Sequence, residues 1–182
     1  MTKVAILLFI TSSFLFSQKT YVPDDKFEQA LIDLGYDTTL DDSVLTANIS
    51  GVTSLDVSNK EISDLTGIEA FTALTELVCS SNKLTSLDVS ANTALTRLDC
   101  FYNQLTSLNM RNGVNLELYA FNATNNPNLT CIETLDPAHA TTNLAYIDAG
   151  VTFAVICGGT DLTTWHVATT GSDGSGSGTE TS

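Results

Sequence analysis

The sequence predicts an α/β solenoid. Short coils stack, a parallel sheet lines the concave face, and a small helical cap covers the N-terminal end. Three observations carry this. Apolar residues and an asparagine return every 21 to 23 residues between Val52 and Leu129. Within each interval apolar and polar residues alternate, as in a half-buried strand. Before the first interval lies one amphipathic helical segment with start and stop signals.

The repeat is clearest in its middle copies. Leu74-Thr-Glu-Leu77-Val-Cys79-Ser-Ser-Asn82-Lys-Leu84-Thr-Ser-Leu87-Asp-Val89 is followed by Leu95-Thr-Arg-Leu98-Asp-Cys100-Phe-Tyr-Asn103-Gln-Leu105-Thr-Ser-Leu108-Asn-Met110. A looser copy starts at Val52 and keeps phase through Leu55, Val57, Ile62, Leu65, Ile68 and Phe71. A last one starts at Leu118 and runs through Phe121, Ala123, Asn126 and Leu129. The form L-x-x-L-x-L-x-x-N-x-L at this period is the leucine-rich-repeat signature. The Asn turns the chain out of the strand, because its short amide can bond backbone groups left free in a turn. One coil cannot bury its apolar edge alone, so coils must stack, with neighbouring strands about 4.8 Å apart.

Residues 52–132 resemble the leucine-rich repeats of internalin-like bacterial surface proteins. The Val52 copy is similar to the ordinary internalin coil. The copies bearing Cys79 and Cys100 resemble the cysteine-bearing 21-residue subclass. The flanks, 18–51 and 133–160, resemble that family's caps. The resemblance implies a secreted or cell-surface module that binds a protein or glycan on its concave face.

From the N-terminus, residues 1–17 read as a secretory signal peptide, with Lys3 before the apolar run Val4 to Ile10 and cleavage expected after Ser17. The run is too short to span a membrane. The formal charge of −14, from 21 acidic and 7 basic residues, argues against nucleic acid and anionic membranes as partners.

In the cap, Pro23 precedes Asp25-Lys-Phe-Glu28, which reads as a capping box. Phe27, Ala30, Leu31 and Leu34 would share one helical face, and Gly35 would close the helix. Asp37, Asp41 and Asp42 offer carboxylates to a cation such as Ca²⁺. The loop lacks the glycine turn and closing Glu of such sites and reads as solvated; no metal or cofactor is expected. Asn48, Asn122 and Asn128 open N-glycosylation triplets, which an Asn- and Thr-rich chain contains by chance.

Strand alternation places Ser54, Glu76, Arg97 and Ala120 in one outward column and Asp56, Val78, Asp99 and Asn122 in the next. Ser58, Ser80, Phe101 and Thr124 follow, then Asn59, Ser81, Tyr102 and Asn125. Most of this face is Ser, Thr, Asn and Asp. Phe101 and Tyr102, with Tyr119 and Arg97, would form an aromatic patch of the composition found at binding hot spots. The alternative is that Phe101 and Tyr102 pack on a neighbouring coil or loop.

Cys79 and Cys100 fall at inward positions and are expected as buried, unpaired thiols. Cys131 and Cys157 flank the segment after the last coil, where export permits a disulfide that staples the C-terminal cap. Residues 161–182 read as a linker. Within it Trp165-His-Val-Ala-Thr-Thr-Gly-Ser-Asp-Gly resembles the opening of right-handed parallel β-helix domains. On that resemblance the chain would be the accessory part of a larger secreted polysaccharide-active or adhesive protein.

No phosphate loop, metal-spaced Cys/His cluster or nucleophile elbow appears in the sequence. His139 and His166 lie in the cap and the tail. Asp56 and Asp99 stand two coils apart, near the spacing of paired glycosidase carboxylates, but on a flat face that cannot enclose a sugar. The chain is therefore expected to be non-catalytic.

Overall fold

The computed structural model describes residues 17–112, 120–144 and 146–158. The expected leader up to residue 16, Tyr119, His166 and the β-helix-like tail lie outside the described residues.

The molecule is a solenoid of parallel strands. Strands β1 (Lys19–Tyr21) and β2 (Ser43–Leu45) pair antiparallel in the cap, around helices α1 (Asp25–Asp33) and α2 (Thr46–Ile49). The concave sheet follows: β3 (Ser54–Asp56), β4 (Glu76–Val78), β6 (Arg97–Asp99) and β8 (Ala120–Asn122), all parallel and in register. Leu55, Leu77, Leu98 and Phe121 form its inward column and are at most 5% exposed. Each such side chain contributes about 1.5–3 kcal/mol when fully buried.

A second parallel sheet was not anticipated from the sequence. The two cysteine-bearing coils and the two that follow return through β5 (Ser86–Asp88), β7 (Ser107–Asn109), β9 (Cys131–Glu133) and β10 (Thr152–Ala154). The first coil instead returns through a 3₁₀ turn at Ile68–Ala70. Leu-x-Val in Leu87-Asp-Val89 alternates, whereas Leu65, Ile68 and Phe71 fall three apart and favour a turn of helix. Between β9 and β10 runs α3 (Pro137–Asn143), capped by Asp136 and started by Pro137.

Two details of the cap differ from expectation. The N-cap of α1 is Asp24, not Asp25: its Oδ1 accepts from the amides of Lys26 and Phe27 at 2.9 and 3.0 Å. Glu28 does not close a capping box. It is fully buried and accepts from the amides of Asp41, Asp42 and Ser43 at 2.9, 3.1 and 2.9 Å. It thus serves the loop backbone before β2. Leu34 leaves the buried face and is exposed, because it is the C-cap. Gly35 (φ +82°) and Tyr36 close the helix as a Schellman motif, bonding the carbonyls of Ile32 and Leu31.

The cap is locked to the first coil by Asp24 as well. Its Oδ2 accepts from the Ser63 amide and hydroxyl and from the Asp64 amide, at 2.9, 2.7 and 3.0 Å. Burial pushes this carboxyl up, but the bonds from Ser63, Phe27 and Asp64 outweigh it and hold the group below its ordinary value. Gly67 (φ +105°) lies against the same junction. A Cβ there would stand 2.8 Å from the Tyr21 carbonyl oxygen and 2.9 Å from Val22 Cγ2. Gly67→Ala is expected to lower stability by about 2 kcal/mol from the left-handed backbone and the clash together. A urea midpoint equal to the parent's would show that the cap gives way freely.

Candidate functional site

The concave sheet presents its outward columns as the strand period dictates. The turn out of each strand is fixed by a ladder of buried asparagines. Asn103 Nδ2 donates to the carbonyls of Cys79 and Cys100 at 3.0 and 3.1 Å, and its Oδ1 accepts from the Leu84 amide at 3.1 Å. Asn82 and Asn126 repeat this one coil before and after. A second ladder, Asn92 and Asn112, stands where the return strands end, Asn92 donating to the carbonyls of Ile68 and Phe71. Sequence reading passed over it, although Asn92 follows Val89 at the same spacing as Asn82 follows Cys79.

Four residues after the central inward residue of each concave strand the backbone turns left-handed, in three coils just before Asn82, Asn103 or Asn126. Asn59, Ser81, Tyr102 and Asn125 occupy this position with φ of 55°, 56°, 53° and 59°. Asn tolerates that conformation and tyrosine does not readily. Yet Tyr102 gains little packing in return, being 58% exposed. Its ring meets the half-buried Phe101 edge-on, with centroids 5.6 Å apart at 63°. Structure thus brings Phe101 and Tyr102 together at the rim of the concave face. Ser80, placed outward by alternation, is buried in the column beside Phe101.

Arg97 joins this face with its guanidinium held on its own strand. Nε and Nη2 donate to Asp99 Oδ2 at 3.0 and 2.7 Å. Asp99 therefore carries a counter-charge, and Asp56 Oδ1 accepts from the Ser58 amide at 2.9 Å.

The face continues one rung further than the repeat pattern indicated. Ala123 N donates to the Tyr146 carbonyl at 2.9 Å, just as Cys100 N donates to that of Asn122. Tyr146 therefore follows Asn122 in the column that begins at Asp56, and it is 67% exposed. Asp148 closes the rung: its carboxylate takes the amides of Asn125 and Asn126 at 2.8 and 2.7 Å, in place of a next coil's carbonyl. The signal was present as Leu144-Ala-Tyr146-Ile-Asp148, an alternating stretch masked by the helix that precedes it.

Elsewhere the chemistry is structural. Cys79 and Cys100 are free, fully buried and inward on adjacent rungs. Burial, with lesser contributions from neighbouring charge, pushes the Cys79 thiol well up and the Cys100 thiol to about 12. Both stay protonated, so neither is a useful nucleophile. Cys131 and Cys157 are joined, Cα to Cα 5.8 Å, tying residue 157 to β9. The Cys157 amide donates to Glu133, which also pairs with Arg111. In the cap loop Glu28, Asp37 and Asp41 each bring a carboxylate oxygen within 4.8 Å of the others; Asp42 is not one of the three. The Lys19 ammonium already sits 2.9 Å from Asp41, and Glu28 is committed to backbone amides. No helix among the described residues is long and apolar enough to cross a membrane.

No family model matches the chain. Over 72 residues, 40% of this chain and 8% of the relative, the sequence is 38% identical to Internalin J of Listeria monocytogenes serotype 4b (strain F2365). Among solved structures, the functional domain of InlJ from Listeria monocytogenes, which includes a cysteine ladder, matches with a TM-score of 0.53 at 31% identity, over 76% of this chain and 28% of that one. An internalin, InlF, from L. monocytogenes strain 4b F2365 matches with a TM-score of 0.50 at 17% identity, over 73% of this chain and 43% of that one, a likeness of fold alone.

Proposed function

Because the chain is an internalin-like leucine-rich-repeat protein, we propose that it is a secreted or cell-surface binding module, non-catalytic, that takes a protein or glycan partner on its concave face. The observation that carries this reading is Tyr102. A bulky side chain held in the left-handed region costs about 1–2 kcal/mol, and this one stays more than half exposed. Strain kept without a packing return is characteristic of ligand-contacting residues. Phe101 packs against it, Arg97 stands on the same strand, and the exposed Tyr146 extends the face, beside Tyr119, which the sequence places in the same patch. The Cys131–Cys157 bridge fits an oxidising compartment, as does a leader ending near Ser17.

The test is a glycan array and a pull-down with the mature chain from Gln18, run beside Phe101→Ala/Tyr102→Ala. Losing the edge-to-face pair costs about 0.5–1.5 kcal/mol, so the variant stays folded. Truncating a hot-spot aromatic typically costs 2 kcal/mol or more, about thirtyfold in affinity. A folded variant that binds the captured partner as tightly as the parent would move the site off this face.

A further inference from the structure

The junction between the first coil and the second holds a site of a different kind. Strand β5 is the edge strand of the second sheet, because the first coil returns through the 3₁₀ turn rather than through a strand. Where the two return paths fail to pair, a cavity of about 150 Å³ remains open to solvent. One wall is Asp64, Thr66 and Glu69 of the first coil. The other is Ser86 and Asp88 of β5.

Its floor and its rim differ in character. Leu65, Ile68 and Leu87 also line the slot and are 3–4% exposed, so a narrow apolar strip is open at its bottom. Asp64, Glu69 and Asp88 are exposed carboxylates around it, with the hydroxyl-bearing Thr66 and Ser86 between them, and no Lys or Arg lines it. Asp64 Oδ1 takes Thr66, Glu69 Oε2 takes the Gly67 amide, and Asp88 takes Ser90 and Asn109. These bonds hold the three carboxylates in place. Burial pushes the Asp88 carboxyl up, but the bonds from Ser90 and Asn109, with the nearby charge of Arg111, hold it below its ordinary value.

An apolar base under a carboxylate rim matches an alkyl chain that ends in a cation. We infer that this slot receives a lysine side chain of a partner protein, its four-carbon stem on Leu65, Ile68 and Leu87 and its ammonium among Asp64, Glu69 and Asp88. Lysine suits the shape because its stem is apolar and its charge is a compact head with three donors. The site lies on the second sheet and is independent of the concave aromatics.

The experiment is an amide NMR titration of the mature chain with Nα-acetyl-lysine-N-methylamide, beside its Nε-acetylated counterpart, which keeps the stem and loses the charge. The expected result is a saturable shift of the amides in 64–69 and 86–88 with the charged probe alone. Asp64→Asn/Glu69→Gln should weaken that response at least tenfold while leaving the spectrum otherwise folded. Absence of a saturable response there, an equal response to the acetylated probe, or a response that the double variant does not weaken would each overturn the assignment.

Discussion

Leu98→Asp is expected to abolish cooperative folding of the coil array. Leu98 is fully buried and lies in register between Leu77 and Phe121, with a coil on either side. A carboxylate there would face inward aliphatic and aromatic side chains and the buried thiols, with no Lys or Arg among the buried residues described. Removing it from water without a partner costs several kcal/mol. A domain of this size is stable by about 5–15 kcal/mol, so the loss consumes most of the margin. Thr96→Asp, on the half-buried approach to the same strand, forfeits one hydroxyl bond to the Thr75 carbonyl and should cost about 1 kcal/mol. Thermal melts of the two variants make the comparison. Equal midpoints would refute the inward and outward assignment of the strands.

Asn103→Ala should be the next most damaging change. It leaves the buried Leu84 amide without its acceptor and removes one of two donors from each of the Cys79 and Cys100 carbonyls, which keep Asn82 and Asn126, in a region where Asn103 is 5% exposed. The orphaned amide costs about 1–3 kcal/mol and each lost carbonyl bond about 0.5–1.5 kcal/mol, so a total near 3 kcal/mol is expected. Gln104→Ala, the exposed neighbour, should stay within about 0.5 kcal/mol of the parent. Urea unfolding of both variants reads the difference. A midpoint for Asn103→Ala close to that of Gln104→Ala would mean that the ladder is not what holds the turns.

The coil phase was legible because two independent signals coincide in every copy, the alternating leucines and the asparagine that ends the strand. The second sheet was not, because three-residue strands such as Ser86–Asp88 leave too short an alternation to separate from a turn, and the first coil shows the turn. Adjacent Asp24 and Asp25 are equally good caps by type; the choice of Asp24 follows from its second oxygen reaching Ser63, a contact thirty-nine residues away that no local pattern encodes. Glu28 shows the same limit: a carboxylate in a first turn suits a capping box, but here burial against the loop amides decides its role. At the face, the positions of Phe101 and Tyr102 could be read from spacing alone. That Tyr102 occupies a left-handed position could have been suspected from the residues that share its place, Asn59, Ser81 and Asn125. Tyr146 was hidden because α3 interrupts the repeat before the fifth rung.

If Tyr102 is kept in a strained conformation for the sake of a partner, Tyr102→Asn separates the strain from the binding. Asparagine relaxes the left-handed backbone that Asn59 and Asn125 already adopt, so the melting temperature should rise, by the equivalent of about 0.5–1 kcal/mol. Calorimetric titration with the partner captured by the parent chain should show affinity reduced about thirtyfold or more. A variant that is more stable and binds poorly is the result expected. A variant that melts lower than the parent and binds equally well would show that Tyr102 serves the fold, and that the partner docks elsewhere.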